Sequence, residues 1–188
     1  MTGLPEPMLR EQDTRTWYEH VCAYVDMKRP AIAGNSWRSI AETIATVTLA
    51  LVRSKRGMPD KKLIRRAMYE WVCVKPKRQA GDPPADLAPV LAWLARNTVT
   101  LADLEEATTG PLLVRQALDA LALKLDGTQA APNTITRKRA VFSNVLEYAV
   151  ELRLLAANPI ERVRWKLLKT RVPARPGPTP VPRENAAG

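Results

Sequence analysis

The longest amphipathic stretch of the chain decides the fold, and over residues 133–152 it reads NTITRKRAVFSNVLEYAVEL. A helix turns by 100° per residue, so side chains three and four positions apart share one face. One face is apolar and consists of Ile135, Phe142, Val145, Leu146 and Ala149. The opposite face consists of Asn133, Arg137, Ala140, Asn144 and Tyr148. The pattern predicts a long helix with one face in a core and the other facing outward.

Helical periodicity continues before and after this stretch and predicts an all-α fold with several helices. Asp60 and Thr100 are expected N-caps, and Asn158-Pro159-Ile160-Glu161 has the spacing of a capping box that opens a short last helix. The second helix carries an apolar stripe at spacings of three and four, namely Trp37, Ile40, Ile44, Val47 and Leu51. The predicted helices cover residues 17–27, 35–53, 60–75, 86–96, 100–107, 111–125 and 133–152.

We expect one helical domain over residues 14–168, followed by a disordered tail over residues 169–188. The tail prediction rests on five prolines between Val172 and Arg183 and on the lack of any apolar period there. The chain has 188 residues, of which 46% are apolar. That is enough to build a core without disulfides or a structural metal.

Positive charge is concentrated in two parts of the chain. There are 29 basic and 19 acidic residues, which gives a net charge of +10. Residues 51–80 hold 10 basic and 2 acidic residues, and residues 132–175 hold 10 and 3. The remainder is mildly acidic, above all residues 81–131, with 3 basic and 7 acidic residues. Such segregation favours a polyanionic partner, and nucleic acid is the first candidate.

Several classes of protein are excluded by what the sequence lacks. No run is long and apolar enough to span a bilayer, and the N-terminus has no signal-peptide pattern, so we expect no membrane partner. Cys22 and Cys73 are far apart and unpatterned, as in a cytoplasmic protein with reduced thiols. A zinc site, a phosphate-binding loop and a dinucleotide motif are all missing. We therefore expect no cofactor and no small-molecule substrate.

The polar face of the 133–152 helix holds the candidate DNA-reading residues. Asn and Arg side chains can make bidentate contacts with adenine and guanine edges, which suits Asn133, Arg137 and Asn144. Lys138 and Arg139 flank the apolar stripe where the helix is expected to protrude past the core, and they are candidate phosphate contacts. An ordinary solvated polar face explains the same pattern equally well.

Other chemistry-bearing residues give weaker signals. Arg164 and Lys166 belong to the short helix expected after Asn158 and are further candidates for DNA contact. Trp165 between them is either a core anchor or a base-stacking platform, whereas the other four tryptophans are expected to be core anchors. His20 is expected to be a packed or surface histidine, because no partner pattern supports catalysis. The basic residues of 51–80 are weaker evidence for contact with a polyanion, and a solvated face explains them somewhat better.

The region from 133 to 159 resembles tyrosine site-specific recombinases of the phage integrase and Xer type. The long helix followed by Leu154-Leu155 and Asn158-Pro159 is similar to the last long helix of their core-binding domain and the turn after it. The resemblance covers about residues 14–166 and is strongest after 132. Arg153 departs from the pattern, since the family often has a glycine there to end the helix, and a non-glycine residue adopts the left-handed conformation with modest strain.

The resemblance implies a multi-helix SAM-like core-binding domain of the integrase type, which closes over one face of double-stranded DNA. It implies that Asn133, Arg137 and Asn144 lie at the major groove, with Arg38 of the second helix as a lesser contact. A protein partner or self-association on DNA is a further expectation.

The resemblance carries no catalytic residue over to this chain. In that family an arginine, a lysine, an Arg-plus-His cluster and a nucleophilic tyrosine lie in a separate, following domain. This sequence has no His-x-x-Arg, and its single histidine, His20, precedes the DNA-binding helices. We expect a truncated or frameshifted, non-catalytic DNA-binding module. The alternatives are a helical protein-interaction module that uses the acidic 81–131 segment and an RNA-binding helical domain.

Overall fold

The chain was analysed as a computed structural model that describes residues 15–74, 78 and 80–166. These residues form α-helices with no strand among them, so the all-α prediction is confirmed for this part of the chain. The predicted tail, 169–188, lies outside the described residues. The α-helices are α1 (Trp17–Lys28), α2 (Gly34–Ala50), α3 (Lys61–Ala67), α4 (Ala88–Asn97), α5 (Leu101–Glu105), α6 (Thr109–Leu121) and α7 (Pro132–Glu151).

Helix α2 is central to the fold and packs against α6, α7 and the region around α3. All five residues of its predicted stripe are buried, and Leu51 has no exposed surface. Burying an aliphatic or aromatic side chain contributes about 1.5–3 kcal/mol, so this stripe is a major source of stability. The helix ends at Ala50 rather than at residue 53, because Leu51 and Arg53 pair with another part of the chain.

Helix α1 is attached to the core by two polar side chains as well as by apolar packing. The indole N–H of Trp17 donates to Thr48 Oγ1 of α2 at 3.0 Å. His20 is completely buried, and its Nε2 lies 2.8 Å from the carbonyl oxygen of Val145 in α7. The sequence left His20 as a packed or surface histidine, and the structure places it in the core. Thr16 and Glu19 form a capping box at the start of α1.

The connection from α4 to α5 lies between the ends of two other helices. The amide of Trp17 donates to the carbonyl of Val99 at 2.8 Å, and the amide of Leu101 donates to the carbonyl of Arg15 at 3.0 Å. On the other side the amide of Val99 donates to Leu51, and the amide of Arg53 to Asn97. Residues 97–101 therefore connect the start of α1 to the end of α2 through backbone hydrogen bonds.

The region after Asp60 differs from the predicted single helix. Asp60 caps α3 as expected, since its Oδ1 accepts from the amide of Lys62 at 2.8 Å. Past Ala67 the helix widens into a π-helical turn, Met68–Val72. Ile64, Ala67, Met68 and Val72 have no exposed surface. This buried face is wide because α3 packs against both α2 and α4.

The exit from α7 agrees closely with the sequence. Arg153 has φ of 60°, the left-handed conformation expected there. The amide of Leu154 donates to Ala149 at 2.8 Å and that of Arg153 to Val150 at 2.9 Å, which is the hydrogen-bond pattern of a Schellman motif. The predicted short helix is a 3₁₀ turn, Pro159–Arg162, and Asn158 Oδ1 caps it through the amide of Ile160 at 3.1 Å. This corrects the predicted capping box, in which Asn158 would cap the amide of Glu161.

Candidate nucleic-acid interface

The outward face of α7 is the main candidate site, and helix packing sets its direction. The five residues of the apolar stripe are all buried, with Phe142 and Val145 each 1% exposed. Asn133, Arg137 and Asn144 are exposed, and Ala140 between them is exposed too. A small side chain at the middle of this face permits close approach of a partner surface. The structure therefore brings the three predicted base-reading residues together on one solvent-facing surface.

Lys138 does not belong to this surface. Its side chain is 7% exposed, and its Nζ lies 2.6 Å from Glu42 Oε1 on α2. The sequence placed it at a protruding end of the helix beside the DNA groove, but α2 covers this part of α7. Its charge is already neutralised by Glu42, so this placement is corrected and Lys138 is left out of the interface proposed below. The ion pair instead joins the two helices that carry the candidate residues.

Tyr148 is also not on the outward face, although the helical wheel put it there. Its ring stacks on His20 with centroids 5.7 Å apart and meets Tyr24 edge-on at 6.0 Å. Helix α1 covers the C-terminal half of α7, so this position is half-buried. The outward face thus narrows to the N-terminal and middle turns of α7.

Arg139 lies beside the outward face, at the edge of a cleft. The cleft has a volume of about 720 Å³ and lies between α7 and the segment that follows Asn158. Thr136, Arg139 and Trp165 are among its lining residues. The sequence analysis did not single out Thr136, an exposed hydroxyl one turn from Ala140. Thr136 lies four residues before Ala140, on the side of α7 next to Arg139, and this spacing could have identified it from the sequence.

The segment after the 3₁₀ turn carries the other predicted basic contacts. Burial alternates along it: Val163 is buried and Trp165 is half-buried, while Arg164 and Lys166 are exposed. The indole N–H of Trp165 donates to Asp119 Oδ1 at 2.7 Å, which fixes the ring against α6. Trp165 therefore acts as an anchor, and the two cations beside it point to solvent. They lie beyond the short turn on which they were predicted.

Arg38 lies on the first half of α2 and is exposed. It is one helical turn before Glu42, whose carboxylate is paired with Lys138 of α7. Because α2 and α7 pack directly against each other, Arg38 lies on the helix next to the candidate face. No ion pair of Arg38, Arg137 or Arg139 occurs among the described residues.

In the second basic block, residues 51–80, three of the eight described basic side chains are paired with acids. Arg66 binds Glu70 at 3.0 Å and Asp86 at 2.6 Å, and Arg78 binds Asp26 at 2.5 Å. Arg53 is paired with Asp103. Exposed ion pairs contribute little stability, but they do cancel local potential. The five other described cations of this block form no ion pair among the described residues, so positive charge without a paired acid is not confined to the α7 region.

Within residues 15–74, 78 and 80–166, no group of three or more His, Cys, Asp or Glu side chains could hold a metal ion. In the same part of the chain, the helices are too short or too polar to cross a membrane.

Comparison with known proteins gives no further guide to the family. No family model, no curated protein and no solved structure matches this chain.

Proposed function

We propose that this protein is a DNA-binding module of the core-binding type found in tyrosine site-specific recombinases, and that it binds duplex DNA without cleaving it. The proposal includes the SAM-like arrangement that the resemblance implies. It places the outward face of α7 in the major groove and Arg38 of α2 beside it.

One observation carries the proposal, namely the composition of the exposed face of α7. Asn133, Arg137 and Asn144 are the side chain types that read base edges, and they flank an exposed alanine on one helix. Arg139, Arg164 and Lys166 are exposed and form no ion pair among the described residues, which leaves them available for phosphate contacts.

The first test is the affinity for random duplex DNA as a function of salt. Phosphate neutralisation releases counterions, so the logarithm of the affinity should fall linearly with the logarithm of salt concentration. Fluorescence anisotropy with a labelled duplex measures this, with structured RNA as competitor. Absent or salt-insensitive binding overturns the proposal, and preferential displacement by RNA favours the RNA-binding alternative.

The second test separates base reading from phosphate binding. A preferred duplex is first selected from a random pool, and its affinity is compared with that of a scrambled duplex. We expect Arg137→Ala to lose about 1–3 kcal/mol on the selected duplex and much less on the scrambled one. Arg139→Ala should weaken binding to both duplexes equally.

The matched control is Arg96→Ala. Arg96 is exposed on α4, which packs against α1 and α3 rather than forming part of the α7 face. It should leave both affinities nearly unchanged. If Arg137→Ala and Arg139→Ala lower the two affinities in the same proportion, α7 does not read bases.

A further inference from the structure

A second concave site lies at the start of α2. It has a volume of about 580 Å³, within the range of small-molecule pockets. It is formed where the end of α1, the start of α2 and the π-helical turn meet. Trp37, Ala41, Cys73 and Val74 make most of its wall apolar. The indole of Trp37 is held in place, because its N–H donates to the carbonyl of Cys73 at 3.0 Å.

Every charged side chain among the residues that line this pocket is basic. Arg29 and Arg38 line it, and no acidic side chain does. Arg29 is already oriented: its Nη1 donates to the carbonyl of Ile32 at 3.0 Å, and its guanidinium lies 5.4 Å from the centre of the Trp37 ring. Arg38 is exposed and has no ion-pair partner among the described residues. Arg53, Arg66 and Arg78 are paired with acids, whereas neither arginine of this pocket is paired with an acid among the described residues.

Tyr69 adds a phenol hydroxyl to the lining of the pocket, and further charged side chains lie near it. Burial raises the pKa of the Tyr69 phenol and Glu42 adds to the increase, whereas Arg65 and Arg38 oppose it. Lys138 already binds the carboxylate of Glu42 at 2.6 Å. Arg65 Nη1 is buried and has no hydrogen-bond partner among the described residues. The surroundings of Tyr69 therefore keep an excess of positive charge.

We propose that this pocket binds a small, planar, aromatic carboxylate. Its flat body would lie against the apolar wall formed by Trp37, Ala41 and Val74, and its carboxylate would meet the guanidinium of Arg38 at the rim. Charge-assisted bonds to arginine are the strong ones, and a planar fork matches a carboxylate in two places. This site goes beyond the proposed DNA-binding function and does not depend on it.

The experiment uses 2-naphthoate as the probe and 2-naphthamide as its neutral counterpart of nearly equal size. Isothermal titration calorimetry on the full chain should show one 2-naphthoate site, with 2-naphthamide at least about tenfold weaker. Arg38→Ala should weaken 2-naphthoate about tenfold, and Arg96→Ala should leave it unchanged. Because Arg38 is exposed, its replacement leaves the core intact.

A blocking variant tests the location independently of charge. A side chain at Gly34, which lines the pocket, meets no atom within 4 Å of its Cβ. Gly34→Leu should therefore fold, fill the pocket and abolish 2-naphthoate binding while the melting temperature is retained. Equal affinity for the acid and the amide, unchanged binding by Gly34→Leu or Arg38→Ala, or no binding at millimolar 2-naphthoate each overturns the proposal.

Discussion

Arg153 ends α7 in a conformation that residues other than glycine and asparagine seldom adopt. Its φ of 60° puts its Cβ close to the neighbouring carbonyl, while the two backbone bonds of the Schellman motif hold it there. Its side chain is exposed. The residue thus contributes strain at this position without compensating core contacts.

Replacing this residue should make the protein more stable. We expect Arg153→Gly to raise the free energy of unfolding by about 1 kcal/mol, because glycine adopts positive φ without the Cβ clash. Urea denaturation followed by circular dichroism measures the change. Arg153→Ala is the control, since it removes the same charge but keeps the strain, and it should change little. Equal stabilisation by both would assign the effect to charge.

The ion pair of Lys138 and Glu42 is asymmetric in its exposure to water. The Lys138 side chain is 7% exposed, whereas that of Glu42 is 40% exposed. Removing one partner therefore has a different cost from removing the other. A buried ammonium without its acid is poorly solvated, but a half-exposed carboxylate without its lysine stays hydrated.

We expect Glu42→Gln to lower the free energy of unfolding by about 1–2 kcal/mol. Lys138→Met keeps the apolar stem of the side chain and should cost less than about 1 kcal/mol. The double variant should be more stable than Glu42→Gln alone, because it contains no unpaired buried charge. Chemical denaturation of the three variants measures these differences. If Lys138→Met has a lower free energy of unfolding than Glu42→Gln, the prediction is contradicted.

At the scale of elements, the corner between α5 and α6 depends on a single glycine. Gly110 lies in the first turn of α6, is buried, and donates its amide to the carbonyl of Glu106 at 3.0 Å. A Cβ at this position would overlap the carbonyl oxygen of Leu104 and lie 2.9 Å from the carbonyl carbon. Backbone atoms cannot turn aside as a flexible side chain can, so the two helices approach closely only because residue 110 has no side chain.

Gly110→Ala should therefore destabilise the fold by about 1–3 kcal/mol, the usual cost of overpacking. Gly34→Ala is the matched control, because it is also in the first turn of a helix but has open space around it. It should be neutral or slightly stabilising. Thermal melting of both variants makes the comparison. A neutral Gly110→Ala would mean that α5 and α6 separate at little cost.

Most helices could be predicted from the sequence, because their stripes and caps are local. Helix α7 begins and ends within one residue of its prediction, and Thr100 is the N-cap of α5 as expected. One end that moved is set by distant contacts. The end of α2 depends on residues 97–99, which a local pattern does not contain.

The candidate site was predictable in part, for the same reason. A helical wheel shows which side of α7 is apolar, and it placed Asn133, Arg137 and Asn144 correctly on the exposed side. It does not show what packs on the flanks. Lys138 meets an acid 96 residues away, and Tyr148 meets α1, and neither contact leaves a signal in the stretch itself.

At the scale of the whole molecule, ionisable groups in and around the core should limit stability in alkaline solution. Burial raises the pKa of Cys73 to about 12, and it also raises the pKa values of Cys22 and Tyr18. A cysteine thiol in an unfolded chain has a pKa of about 8.5. The folded state therefore favours the neutral thiol. The contribution of this thiol to the free energy of unfolding is complete below the pKa that it has in the unfolded chain. That contribution is lost as the pH rises toward the folded value.

We expect the free energy of unfolding to fall as the pH increases from 9 to 11. Cys73→Ala should fall less steeply, by up to about 1.4 kcal/mol per pH unit, because one shifted group is removed. Urea denaturation across this range measures both slopes, and the difference at pH 7 corrects for the lost packing of the side chain. Parallel curves for the two proteins would contradict the assignment to Cys73.

The backbone hydrogen bonds of residues 97–101 also affect how the chain reaches this structure. They join residues about 50 and 85 positions apart, and closing such long loops costs entropy before the contacts repay it. During synthesis, the start of α1 therefore cannot form these hydrogen bonds until residues 97–101 have been made. Docking of α1 is then a late event in folding, and the first three helices complete their packing only together with α4 and α5.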